Sequence, residues 1–255
     1  MSYNPQSVVK KLSVYCVLLM LVGQSIGCAS SVPPLSEALL LPEISASEGA
    51  SEPPSDAVSR TPADVLPRPL RLAFMAGHVR AGMALYRADE LEMAAPHLLH
   101  PVSETHQAER EGLEELGFDH SLYVRVSRAL EANRPAVDIK NLLAETETNL
   151  ALVTSRAGGD HLTIIEFLLR TIVDEYSLSI NDGRLTDVGE YQDAFGFSQV
   201  AIEHARALSV SQRGDLLDAL QQLAALWPMG PIPVDNPTSV AVLVDAVNTM
   251  LVHFK

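Results

Sequence analysis

From Leu70 to the C-terminus the apolar residues recur every three or four positions, and no stretch alternates long enough to make a strand. Arg71 to Arg87 sets the pattern, with Leu72, Met75, Val79, Met83 and Tyr86 on one stripe. Such spacing restricts the chain to helices that bury one face against one another. A second helix begins near Glu90 and ends before Pro101. "PVSETHQAEREGLEELG" and "DHSLYVRVSRALEA" read as two more, and "PAVDIKNLLAETETNLALVTSRAGG" starts after Pro135 and stops at a Gly pair. "DHLTIIEFLLRTIVDEYSLSI" then carries Leu162, Ile165, Leu168, Leu169, Ile172 and Tyr176 as a broad buried stripe. After the turn "NDGRLTD" come "VGEYQDAFGFSQVAIEHARAL" and "SVSQRGDLLDALQQLAALW", the latter capped by Ser209 and ended by Pro228. A last apolar helix runs from Val240 to Phe254. The expected fold is all-α: a single-domain bundle of six to eight antiparallel helices over residues 70–255.

The segment ahead of it has a different character. "MSYNPQSVVKKLSVYCVLLMLVGQSIGC" opens with Lys10 and Lys11 and continues into a mostly apolar run of about a dozen residues, short of the roughly 20 a spanning helix needs. This is the layout of an export signal, residues 1–27. Its end, "SIGC", resembles the lipobox of bacterial lipoproteins at Ile26, Gly27 and Cys28, with Ser25 where that family usually has leucine. The resemblance implies a lipid on Cys28, a new N-terminus there, and attachment to a membrane on its periplasmic side. Ordinary signal cleavage and an uncleaved anchor are the alternatives. Residues 28–69 are rich in Pro, Ser, Ala and Glu and read as a flexible tether that cannot repay the entropy of ordering.

Cys16 lies in the signal and Cys28 would take the lipid that the resemblance implies, so residues 70–255 contain no cysteine. No disulfide then remains there, which argues against thiolate zinc sites, iron–sulfur centres and C-x-x-C-H haem attachment. Removing Lys10 and Lys11 from 18 basic residues leaves 16 against 32 acidic ones, a formal net charge of −16. That balance argues against nucleic acid as a partner and is compatible with drawing cations into a cleft.

Candidate ligands concentrate in "AGHVRAGMALYRADELEMAAPHLLHPVSETH". The linker "ADE" is short, so its two helices fold back antiparallel. Counted from Asp89, His78 is eleven residues back and His100 eleven forward, which puts them at one level with His97 a turn away. Glu104 lies four beyond His100 and His106 follows, although Pro101 bends or restarts the helix between them. His78, His97, His100, Glu104 and His106 thus form a candidate set for a transition metal, with iron, copper and zinc as the suited ions. Its binding would weaken as pH falls through the imidazole range near 6.5. The same stretch also looks like half of a tetratricopeptide hairpin. There Gly82 and Ala84 permit close approach, Tyr86 packs, Ala94 and Ala95 face them, and the histidines only line the interface. His161 reads as a cap neighbour, and His120 and His253 as surface residues; Glu203 and His204, being adjacent, do not share a face.

A second stretch runs from Glu166 to Ala201. It pairs Asp174, Glu175 and Tyr176 with a turn at Asp182 and Gly183, then Glu190 and Tyr191, then Phe197. This resembles the helical extracytoplasmic region attached to some bacterial permeases of the oxidase-dependent iron transporter family. The resemblance implies an accessory periplasmic domain in metal uptake and carries over no transport activity. A mechanical reading stands beside it, in which NDG turns the chain and Tyr191 and Phe195 pack. G-x-S-x-G, a glycine-rich phosphate loop and H-E-x-x-H are all absent, so nothing points to catalysis. The expected function is a periplasm-facing lipoprotein that binds a transition metal and serves iron or related metal uptake, with an envelope or iron-uptake protein as partner. The alternative is a non-catalytic helical adaptor or scaffold.

Overall fold

Helix α1 (Arg68–Arg87) is buried on nearly every side, with four of the other helices packed against it. The computed structural model describes residues 66–102 and 110–254. The signal at 1–27, the tether up to residue 65, Glu104 and His106 lie outside the described residues. α1 starts two residues earlier than the sequence spacing indicates, because Pro67 forms its N-cap and Pro69 sits in the first turn, where a missing N–H costs nothing.

Eight more α-helices follow among the described residues: α2 (Leu91–Leu99), α3 (His120–Glu131), α4 (Ala136–Ala157), α5 (His161–Ser179), α6 (Val188–Ala207), α7 (Val210–Arg213), α8 (Leu216–Ala224) and α9 (Val240–Leu251). The class is all-α, as expected. The number of helices exceeds the expected six to eight, and the segment after Ser209 is two helices rather than one. Gly214 takes φ 44 and breaks it after a single turn capped by Ser209. The only strands among the described residues are β1 (Ile180–Asn181) and β2 (Arg184–Leu185), an antiparallel pair closed by Asp182 and Gly183 at φ 48 and 72. Positive φ at both central residues is the primed turn that matches strand twist, so the NDG turn makes a small hairpin. The segment after Pro101 forms a 3-10 turn at His100–Val102, and a second such turn lies at Glu114–Leu116.

Ser209 caps its helix as expected, and four further caps appear. Asp119, Asp160, Asp187 and Ser239 each accept a hydrogen bond from a backbone N–H in the first turn of the helix that follows. α5 buries Ile165, Leu168, Leu169, Ile172 and Tyr176 along α6, with Leu162 only partly covered. Trp227 closes the far end, donating from Nε1 to the Tyr191 carbonyl at 3.1 Å and standing edge-on to Tyr176.

Two glycine contacts set how close the central helices come. Asp89 turns the chain at φ 67 and α2 returns along α1, where a Cβ on Gly82 would lie 2.9 Å from Leu98 Cγ. On another side α6 crosses α1 at Gly196, whose Cβ would run into the Gly77 carbonyl oxygen and lie 2.9 Å from the Ala81 nitrogen. Backbone cannot move aside as a side-chain end can. Gly196→Ala should therefore lower unfolding free energy by about 1–3 kcal/mol, the overpacking range, as read from urea denaturation by circular dichroism.

Candidate metal centre

The α1–α6 crossing carries a charged residue into the interior. Asp193 lies on α6 three residues before Gly196 and is 5 % exposed. A buried carboxylate requires partners, and two imidazoles supply them. His78 Nδ1 on α1 is 2.7 Å from Asp193 Oδ1, and His97 Nδ1 on α2 is 2.8 Å from the same oxygen. Both histidines are buried, at 2 % and 5 % exposure. Burial by itself would raise the Asp193 pKa. The charges and hydrogen bonds of His78 and His97 outweigh it and hold the carboxyl well below the usual carboxylate range.

An ionised Asp193 accepts only, so each Nδ1 is a donor. The second nitrogens differ. His97 Nε2 lies 2.8 Å from Gln192 Oε1, while Gln192 Nε2 faces the Met93 sulfur at 3.3 Å. Both His97 nitrogens thus donate. Burial lowers its pKa, but the Asp193 bond and charge, Gln192 and the nearby Glu190 together leave it raised above 6.5. His78 Nε2 is buried and has no hydrogen-bond partner among the described residues. The His78 ring is enclosed by His100 at 3.9 Å between centroids, Phe74 at 4.8 Å and Phe197 at 5.3 Å. His78 and His100, equidistant from Asp89 in sequence, do lie side by side.

Of the five candidate ligands, His78, His97 and His100 come together, and Glu104 and His106 fall outside the described residues. The residue that sequence reading missed is Asp193. Donor atoms of His78, His100 and Asp193 all lie within 4.8 Å of one another. A signal for it was available: an ionisable residue flanked by Tyr191, Ala194 and Phe197 on a core-facing helix must be paired. Beside this cluster runs an open groove of about 580 Å³ lined by Glu92, His97, His100, Glu190 and Asp193.

The acidic–tyrosine motifs of α5 and α6 meet across the β1–β2 hairpin. Glu175 and Glu190 share a hydrogen bond, and Tyr176 and Tyr191 stand 5.9 Å apart between centroids. Burial, the Glu190 bond and the charges of Glu190, Asp193 and Asp174 push the Glu175 carboxyl up to about 9. His204, expected to contribute little, is 9 % exposed, and its Nδ1 lies 2.8 Å from His161 Nδ1. Burial, with the charge of His161 second, lowers it to about 4.

Residues 159–253 match the iron permease-associated 4-helix bundle domain. The match runs from the start of α5 to the end of the chain's last turn and contains the stretch 166–201 in which the resemblance was read. It contributes Asp193, Gln192, Glu175 and Glu190 to the centre, while His78, His97 and His100 come from the hairpin ahead of it. No curated protein and no solved structure gives a significant match. An R-E-x-x-E pattern does occur, at Arg110 to Glu114. It sits on an irregular turn with Gly112 at φ 75 and the Glu111 carbonyl accepting from Arg71. Among the described residues no helix is long and apolar enough to cross a membrane.

A carboxyl whose folded pKa is raised contributes stability at acid pH and loses it as pH climbs from the mid-4 range through about 9. Glu175→Gln keeps a hydrogen bond to Glu190 without that titration. It should stabilise the protein at pH 8 by about 1 kcal/mol, discounted for partial solvation, and by nothing at pH 4. His204 works in the opposite sense, its contribution being present above 6.5 and lost as pH falls towards 4. His204→Gln should flatten that acid loss by about 2 kcal/mol in thermal melts recorded across the window.

Proposed function

We propose that the chain is a periplasm-facing lipoprotein, held to a membrane by a lipid on Cys28, that binds a transition metal ion as an accessory to iron uptake. The ion is cargo rather than a resident cofactor. One observation carries the reading: two imidazoles and a carboxylate from α1, the turn after α2, and α6 converge at His78, His100 and Asp193 beside an open groove, and one buried imidazole nitrogen has no hydrogen-bond partner among the described residues. Nitrogen and oxygen donors of this kind suit iron(II), zinc(II) and copper(II). Glu104 and His106, a few residues beyond His100, complete the proposed ligand set. The matched domain at 159–253, described as iron permease-associated, supports an iron-uptake protein as partner. The acidic groove, with Glu92 and Glu190 at its rim, favours entry of a cation.

The test is metal content and calorimetric titration of the tag-free chain beginning after the signal. The intact chain should bind one ion per molecule at this cluster. The double variant His78→Ala/His100→Ala should lose about 100-fold or more in affinity. Unchanged affinity in that variant removes the site, and no binding by the intact chain leaves a helical adaptor for an envelope partner.

A further inference from the structure

The cluster offers two mutually exclusive ways of holding an ion, because the nitrogens of an imidazole point outward on opposite sides of the ring. An ion shared by Asp193 and His78 must take the Nδ1 of His78. That displaces the 2.7 Å hydrogen bond to Oδ1 and crowds the second one from His97 at 2.8 Å. It also leaves His78 Nε2 as it is now, buried and without a partner among the described residues. An ion on Nε2 costs neither bond and satisfies the one orphaned nitrogen of the cluster. Asp193 is then too far round the ring to touch the ion.

We propose that the ion is held by His78 through Nε2 together with the neighbouring His100, and that Asp193 and His97 act as positioning residues behind His78 without contacting the ion. This rests on the reading of the cluster as a metal site. Asp193 fixes the Nδ1–H form of His78 and so presents the Nε2 lone pair, the arrangement by which carboxylates orient metal-binding imidazoles. His97 is removed from the ligand set by its own bonds, with Nδ1 given to Asp193 and Nε2 to Gln192. Its place in the structure is to take up the remaining charge of the buried carboxylate and to lock its rotamer from the α2 side. Gln192 is held in turn by the Met93 sulfur, so the chain Met93–Gln192–His97–Asp193–His78 crosses from the groove to the interior. His78 and His100 are then the ion's ligands among the described residues, and its other positions fall to Glu104, His106, water or donors of a receiving protein.

The experiment loads the intact chain, made with isotope-labelled histidine, with a magnetically active cadmium isotope and reads metal–nitrogen scalar coupling by NMR. Coupling is expected at His78 Nε2 and at one nitrogen of His100, with a proton retained on His78 Nδ1 and no coupling at His97. Coupling to His78 Nδ1 or to either nitrogen of His97 overturns the assignment while leaving the cluster a metal site. Absence of cadmium binding overturns the metal reading itself. In parallel, Asp193→Asn should weaken cadmium binding by about 10–100-fold, as loss of an orienting partner does, with coupling still at Nε2. An unchanged affinity would overturn the positioning of His78 by Asp193, and a loss as large as that of His78→Ala would place Asp193 on the ion.

Discussion

A carboxylate moved from water into a protein interior is tolerated only when charge and hydrogen bonds meet it there, and at Asp193 they come from two other helices. The Gly77–Gly196 crossing brings α6 close enough to α1 for Oδ1 to reach His78, and the tight return of α2 on Gly82 and Ala94 brings His97 to the same oxygen. Three helices are thereby pinned at one atom. The arrangement also sets protonation, since an acceptor-only carboxylate leaves both imidazoles with Nδ1–H and the remaining nitrogens to be decided by what surrounds them. For His97 that is Gln192; for His78 no described residue fills the place.

The carboxylates and the imidazoles have separate origins in the chain. Asp193, Glu175 and Glu190 lie on the α5–α6 pair inside the matched domain, where the β1–β2 hairpin sets the two acidic–tyrosine pairs opposite each other. The three histidines lie on α1, on α2 and in the turn that follows α2, ahead of the match. Neither part holds the cluster alone: the acidic helix without the hairpin has an uncompensated buried charge, and the hairpin without α6 has imidazoles with nothing to orient them. This division explains why a domain match beginning at residue 159 accounts for the acidic half only.

Much of this was legible in one dimension because it depends on neighbours in sequence. Helix periodicity, the caps at Asp119, Asp160, Asp187 and Ser239, the Gly stop after α4 and the NDG turn are interactions across a few residues. The level pairing of His78 and His100 belongs to the same class, since a short linker forces an antiparallel return and counting from Asp89 does the rest. Smaller departures have local causes too. A single glycine, Gly214, divides what periodicity joins, and the primed turn at Asp182–Gly183 is long enough to seat two-residue strands but too short to show alternation.

What the amino-acid order alone determined, then, is an all-helical chain without thiols in its folded part, strongly acidic, with imidazoles grouped on one hairpin. Which carboxylate meets those imidazoles was decided only in three dimensions. Asp193 is separated from His78 by 115 positions and from His97 by 96, and no local spacing rule reaches that far. The pairing of His161 with His204, 43 positions apart, is of the same kind. Such contacts follow from where two glycines let helices cross, and a crossing point is a property of the packed core, not of any one helix.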